Sequence, residues 1–106
     1  MYEVFFKALG EPTRLRIIRL LAQEELCVCE LEEILKMSQP RISQHLRVLK
    51  QARLVNERKE GTKRYCKLDH EYYQYIMVSF MDYMKTPLAE CEHKELTAVR
   101  ESCQAR

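Results

Sequence analysis

Residues 38–47 read Ser38-Gln39-Pro40-Arg41-Ile42-Ser43-Gln44-His45-Leu46-Arg47. Ser38 is a favoured helix N-cap, and Pro40 is tolerated in a first helical turn. Ile42, Leu46 and the following Leu49 recur at helical spacing, with polar side chains between them. The stretch therefore predicts a helix with one buried face and one face rich in Gln, Arg, Ser and His. Arg and Gln are side chains that read base edges in the major groove of DNA.

Another helix is predicted just upstream, over residues 28–35, with Leu31, Ile34 and Leu35 facing the core. Only a short turn separates it from residue 38, and two helices joined so tightly are typical of a helix-turn-helix. Two further apolar helices precede this pair, over residues 2–9 and 12–23. The core positions expected in the second of them are Leu15, Ile18, Leu21 and Ala22.

Downstream, residues 54–59 and 62–68 flank Glu60-Gly61 with period-two polarity, which predicts a β-hairpin. Within it, Cys66 is expected to point inward. A hairpin directly after a helix-turn-helix is a wing, and its basic tip suits phosphates or the minor groove.

A long helix is predicted from the cap residue Asp69 to about Lys85, where Thr86-Pro87 ends it and starts a last helix. One face of the long helix carries Tyr73, Ile76, Met77, Phe80 and Met84. One side of the last helix carries Leu88, Cys91, Leu96, Val99 and Cys103.

The predicted fold class is therefore mainly α with a small β-hairpin. Residues 1–86 form a winged helix-turn-helix domain for DNA binding and dimerisation, and residues 87–106 form a C-terminal helical tail. A chain of 106 residues has a modest core that would gain from dimerisation. No apolar run approaches the roughly 20 residues of a membrane span, and no secretory signal is visible, so a cytoplasmic protein with no membrane partner is expected.

Positive charge is concentrated in residues 36–67, which hold ten Lys or Arg and two Glu, although the whole chain carries a formal net charge of only +2. Such asymmetry indicates a polyanionic partner, with double-stranded DNA as the main candidate and a solvated basic loop as the alternative. His45 could equally be an ordinary exposed helix residue. The candidate DNA contacts are Ser38, Gln39, Arg41, Ser43, Gln44, His45 and Arg47 from the helix and Lys59, Thr62, Lys63 and Arg64 from the wing.

Two cysteines, Cys27 and Cys29, lie at the start of the predicted helix 28–35. In a cytosolic chain they are expected to be thiols, which are ligands for soft ions, and the alternative is that they are small core residues. In an ideal helix, residues two apart point about 200° away from each other. Either Cys27 lies outside the first turn, or binding of one ion by both sulfurs distorts that turn.

The chain resembles the arsenic-repressor (ArsR/SmtB) family of winged-helix metal-sensing repressors over nearly its whole length. The resemblance is carried by residues 8–17 (Ala8-Leu9-Gly10-Glu11-Pro12-Thr13-Arg14-Leu15-Arg16-Ile17), 25–31 (Glu25-Leu26-Cys27-Val28-Cys29-Glu30-Leu31), 38–46 and 58–61 (Arg58-Lys59-Glu60-Gly61). It implies a homodimer formed through the first and fifth helices. This dimer would need no cofactor to bind an operator that is an imperfect inverted repeat, and it would leave the operator when a toxic ion binds.

Within that family, a Cys-Val-Cys at the start of the third helix is associated with As(III) and Sb(III), or with Cd(II) and Pb(II). Some relatives have a third cysteine where this chain has Glu32. The third ligand is thus open: Cys91 or Cys103, from the same or the opposite protomer, or a solvent oxygen. Along one helix these two cysteines would be about 18 Å apart, so only one can join a given ion. The chain starts directly at its first helix, without the extension from which some cadmium and lead sensors draw thiols, which favours As(III) or Sb(III).

The remaining alternatives are a Cd(II) or Pb(II) sensor and a thiol-redox or persulfide switch on the same scaffold. Ring strain makes Cys27 and Cys29 poor partners for a disulfide, so the redox switch would need Cys91 or Cys103. An enzyme is not expected, because the chain has no βαβ pattern, no Cys-x-x-Cys and no base paired with the thiols.

Overall fold

A computed structural model describes residues 1–105 of the chain. In order, the elements are α1 (Tyr2–Leu9), α2 (Pro12–Gln23), β1 (Leu26–Cys27), α3 (Val28–Leu35), α4 (Gln39–Gln51), β2 (Val55–Glu60), β3 (Lys63–Leu68), α5 (His70–Lys85) and α6 (Glu90–Gln104). The mainly helical fold with a small β-hairpin is confirmed, and α3 and α4 form the predicted helix-turn-helix. The sheet, however, has three strands rather than two.

The core lies where α1 to α4 meet the sheet and the first half of α5. Among the most deeply buried side chains are Phe5, Ile17, Leu21, Leu31, Ile42, Leu46, Leu49, Leu54, Cys66 and Ile76. The predicted buried face of α4 is confirmed, as is the inward direction of Cys66. In contrast, α5 buries one residue, Ile76, and α6 buries none.

Two side chains predicted to face the core are exposed. Leu15 on α2 is 54% exposed and Ile34 on α3 is 40% exposed, whereas Ile17 is fully buried. At about 100° per residue, Leu15 and Ile34 each lie roughly a quarter turn or more from the centre of the buried face of their helix. The periodicity therefore found both helices but placed the edge of each apolar face wrongly.

The turn between α3 and α4 is made by Lys36, which ends α3 in the left-handed conformation with φ 53°. Its backbone N–H donates to the carbonyl oxygen of Glu32. Ser38 is at the N-cap position of α4 as expected, but its side chain makes no capping hydrogen bond. The expected capping interaction is thus absent. The local signal that favours a helix start here is Pro40 in the first turn.

The sheet is antiparallel in the order β1-β3-β2, so that β3 is the central strand. β2 and β3 form the predicted wing, with Glu60 opposite Lys63 at its tip. β1 was not predicted, because two residues are too few to show a period-two pattern. It pairs Leu26 with Cys66 and Cys27 with Tyr65.

α5 begins at Asp69, whose carboxylate accepts a hydrogen bond from the Tyr72 N–H at 3.0 Å. Its N-terminal half packs on the core, and α1 covers the next turns, with the Tyr2 and Phe80 rings in edge contact at 5.4 Å. Met84 is on the predicted face that includes Ile76, and it is 66% exposed whereas Ile76 is fully buried. The last helix begins at Glu90, three residues later than expected.

None of the helices in residues 1–105 is both long enough and apolar enough to cross a membrane.

Candidate DNA-binding surface and thiol site

The two cysteines converge because Cys27 lies outside the helix. Cys27 is the N-cap of α3 with an extended backbone (φ −82°, ψ 158°), whereas Cys29 lies in the first turn. Their Cα atoms are 5.4 Å apart and their Sγ atoms are paired. This corrects the expectation that they are poor disulfide partners. Of the two alternatives that helix geometry left open, the structure has Cys27 before the first turn.

The Cys27 backbone is held from both sides. Its N–H donates to the Glu30 carboxylate at 2.9 Å, and β1 pairs it with Tyr65 on the wing. Nearby, the Arg58 guanidinium donates to Glu25 at 2.7 Å, and this hydrogen bond lowers the pKa of the Glu25 carboxyl. The cysteine segment is therefore fastened directly to the wing, a connection that sequence reasoning missed together with β1.

The thiols line a cavity of about 220 Å³ that they share with the predicted DNA-binding residues. Cys27 is almost completely buried, and Cys29 is exposed. The residues around the cavity are Cys27, Val28, Cys29, Glu32, Gln39, Thr62, Lys63 and Arg64. A ligand at the sulfurs would thus lie beside the first residue of α4 and the tip of the wing.

Cys91 and Cys103 lie on α6, and both are exposed. Within residues 1–105, no group of three or more His, Cys, Asp or Glu side chains is placed to hold a metal ion. The conformation of the single chain therefore does not bring a tail cysteine to the pair. A third ligand from Cys91 or Cys103 stays a prediction.

Most candidate DNA contacts are exposed. These are the N-cap Ser38, then Gln39, Arg41, Gln44 and Arg47 on α4 and Lys59, Thr62 and Lys63 on the wing. Three other candidates, Ser43, His45 and Arg64, are half-buried. His45 points its Nδ1 toward the Glu11 carboxylate at 3.7 Å, so this side chain contacts the turn between α1 and α2.

Arg64 and Ser43 contact each other across the gap between the wing and α4. The Arg64 Nη2 donates to the Ser43 Oγ at 3.1 Å, and the Nη1 lies 3.2 Å from Glu57 Oε1. The other oxygen of Glu57 pairs with Lys50 at the end of α4. Sequence reasoning missed Glu57 and Lys50. The signal available was that Glu57 is one of only two acids in the basic segment 36–67.

Cys66 belongs to the core rather than to the thiol site. Its side chain is fully buried, and burial raises the pKa of the thiol to about 11. A thiol with so high a pKa is protonated at neutral pH and is a poor ligand for an ion. The expected structural role of Cys66 is consistent with this environment.

A family model described as bacterial regulatory protein, arsR family, matches residues 11–57. Over 90 residues the chain is 39% identical to the arsenical resistance operon repressor of Staphylococcus xylosus, covering 85% of this chain and 86% of that protein. It is 55% identical over 58 residues to the uncharacterized HTH-type transcriptional regulator MJ1325 of Methanocaldococcus jannaschii. That match covers 54% of this chain and 65% of the relative.

Among solved structures, the homodimeric winged helix-turn-helix DNA-binding domain of Mb0332 from Mycobacterium bovis is similar, with a TM-score of 0.65 and 28% identity. This match covers 79% of each chain. The winged helix-turn-helix fold, the family model and the length of the match to the S. xylosus repressor agree. The chain is a member of the arsR family of bacterial regulatory proteins, which are transcriptional regulators.

Proposed function

We propose that the chain is a homodimeric repressor that leaves operator DNA when As(III) or Sb(III) binds the thiolates of Cys27 and Cys29. The observation that carries this proposal is that the two sulfurs converge on a cavity whose wall also contains Gln39, Thr62 and Lys63. Soft ions prefer thiolate ligands, and the relative from S. xylosus is an arsenical resistance operon repressor.

DNA binding is proposed through the exposed surface of α4 and the wing. Arg41, Gln44 and Arg47 are exposed on a helix that fits the major groove, where Arg and Gln make bidentate contacts to guanine and adenine. Lys59 and Lys63 at the wing tip are suited to phosphates. In a dimer, the two α4 helices would read half-sites about one helical turn apart, in an imperfect inverted repeat.

Dimerisation is proposed through α1 and α5. On α5 the side opposite α1 exposes Tyr75, Val78 and Met81, each more than half exposed in the single chain. Contiguous apolar surface of this kind marks an interface, and the similar domain from M. bovis is homodimeric. A second copy of the chain is the proposed partner.

Ion binding would act on DNA through the segment that contains Cys27. This residue is both the N-cap of α3 and part of β1, so a shift at its sulfur reaches the helix-turn-helix and the wing together. Coupling between two sites in one protein is typically worth about 1–3 kcal/mol. The third ligand is proposed to be Cys91 or Cys103 of either protomer or a solvent oxygen, and Cd(II) and Pb(II) are the alternative ions.

The proposal is tested with fluorescent DNA from the promoter of the gene itself. As(III), Sb(III), Cd(II), Pb(II) and Zn(II) are titrated against the complex under reducing conditions. Arsenite is expected to release the wild type and the control Cys91→Ser/Cys103→Ser, if solvent supplies the third ligand. It is expected to leave Cys27→Ser/Cys29→Ser on the DNA with wild-type affinity. Release of that double variant by arsenite would refute the proposal.

A redox switch at the same pair is a second candidate, favoured by the paired Sγ atoms. Here two thiols and one molecule of hydrogen peroxide give one disulfide and two molecules of water. The same assay has a peroxide arm, in which release and its reversal by a dithiol reductant support this candidate. Retention on DNA after mass spectrometry has shown the Cys27–Cys29 crosslink would exclude it.

A further inference from the structure

Arg64 differs from the other basic residues of the wing in the direction of its side chain. It alternates along β3 with Cys66 and Leu68, which are 0% and 3% exposed, so all three share the face of the strand that meets the helices. Its side chain is 27% exposed, whereas Lys63 at the tip is exposed to solvent. Arg64 is therefore turned away from the surface that would meet phosphates.

The guanidinium of Arg64 is already bonded within the protein. It donates to the Ser43 hydroxyl on α4 and lies 3.2 Å from Glu57 on β2. The Glu57 side chain is only 14% exposed and also pairs with Lys50 of α4. The contact with Glu57 is an ion pair, since the Glu57 Oε1 accepts no hydrogen bond. A planar guanidinium presents separate nitrogens to Ser43 and Glu57, which an ammonium group cannot reproduce. Glu57 thus holds one cation from the wing and one from α4.

Arg64 also lines the cavity that contains Cys27 and Cys29. Its neighbour along β3, Tyr65, is the residue that pairs with Cys27. One side chain therefore lines the thiol cavity and also contacts the predicted recognition helix.

We infer that Arg64 is a positioning residue that transmits occupancy of the thiol cavity to α4, and that Glu57 holds it in place. The inference rests on the proposed release by As(III). An ion at the two sulfurs enters the cavity that Arg64 lines and displaces its side chain, and α4 then loses its hydrogen bond to the wing through Ser43. On this inference Arg64 does not bind the DNA backbone, contrary to the expectation from sequence.

The test uses the dimer of the whole chain and compares Arg64→Lys with the wild type and with Lys59→Gln. Three quantities are measured: arsenite bound by the protein without DNA, the ratio of operator dissociation constants with and without arsenite, and the salt dependence of operator binding. A coupling ratio of about 5–150 is expected for the wild type. Arg64→Lys keeps the positive charge but loses the planar guanidinium. This variant should bind arsenite normally, while its ratio of operator dissociation constants with and without arsenite falls below about twofold.

The salt dependence separates positioning from phosphate contact. The plot of log K against log salt concentration has a negative slope. Each lost phosphate contact makes this slope less steep by about 0.9, or by about 1.8 for two protomers. Lys59→Gln changes an exposed wing lysine that does not line the thiol cavity, so it should show this drop and keep the wild-type ratio of operator dissociation constants. Arg64→Gln should keep the wild-type salt slope, while arsenite should no longer change its operator dissociation constant appreciably. Glu57→Gln keeps Arg64 but removes its ion pair, so it should also lower the ratio of operator dissociation constants. This variant tests the inference without changing Arg64 itself, in case an Arg64 variant misfolds.

The inference alone would be overturned by a wild-type ratio of dissociation constants in Arg64→Lys, or by a salt slope for Arg64→Gln that matches that of Lys59→Gln. If arsenite fails to release the wild type, or still releases Cys27→Ser/Cys29→Ser, the proposed function falls and the inference falls with it.

Discussion

Leu46 on α4 and Leu96 on α6 are identical side chains on amphipathic helices, yet Leu46 is 1% exposed and Leu96 is 43% exposed. Leu46 is covered by the other helices of the winged domain, whereas α6 buries none of its residues. Helical spacing shows which side chains share a face. It does not show whether another element covers that face, which depends on where the chain goes next and on partner copies.

The largest expected effect is that of Leu46→Ala, because a fully buried leucine is lost. Truncations of this kind cost about 2–5 kcal/mol of unfolding free energy. The matched control is Leu15→Ala, where the side chain is 54% exposed and the change should stay within about 0.5 kcal/mol. Both are measured by urea denaturation monitored by circular dichroism. Equal losses for the two variants would remove the contrast between covered and uncovered positions.

A smaller effect is expected from the pH dependence of stability at Cys66. Burial raises the pKa of its thiol from the ordinary value of 9.0 to about 11. The folded state holds the proton more tightly than the unfolded state, so this contribution is complete below about pH 9 and is lost as the pH rises to about 11. It corresponds to about 2–3 kcal/mol.

The comparison is made with Cys66→Ala, whose unfolding free energy should fall less steeply between pH 8 and pH 11. Urea denaturation at several pH values in reductant measures both proteins. The role assigned to burial is wrong if the two curves run parallel through that range.

The smallest effect is expected for Leu96→Ala, with a change in unfolding free energy below about 0.5 kcal/mol. The measurement is repeated over a hundredfold range of protein concentration. A larger loss that varies with concentration would show that a second copy covers α6, and the contrast with Leu46 would then apply only to the single chain.

The sequence predicted the elements better than their surroundings. The bounds of the first five helices and the hairpin could be read from periodicity, from Gly61 and from Asp69, which are local signals. β1 could not be predicted, because it exists only through its pairing with β3 far along the chain. The same long-range pairing brings the thiols to the wing, so the cysteines were found but their cavity was not.

Ser43 and Arg64 are less exposed than the other candidate DNA contacts, and their burial has one physical origin. Ser43 and Arg64 were expected to contact DNA because polar residues on a helix and a wing usually face solvent. Glu57, one of two acids in the basic segment 36–67, forms an ion pair with Arg64, and this contact depends on the register that puts Glu57 opposite Cys66. Short-range patterns contain no information about that register.

The pairing of Leu26 with Cys66 closes a loop of about 40 residues in which α3, α4 and most of the wing are contained. The two ends of this loop meet in the pairing of β1 with β3, and Cys27 is one of the paired residues. Closing such a loop has an entropic cost, and the β1–β3 pairing is one of the contacts that offset it. A strand of only two residues therefore helps to close the segment that contains the proposed recognition helix and most of the wing, and the two sulfurs lie directly beside that strand.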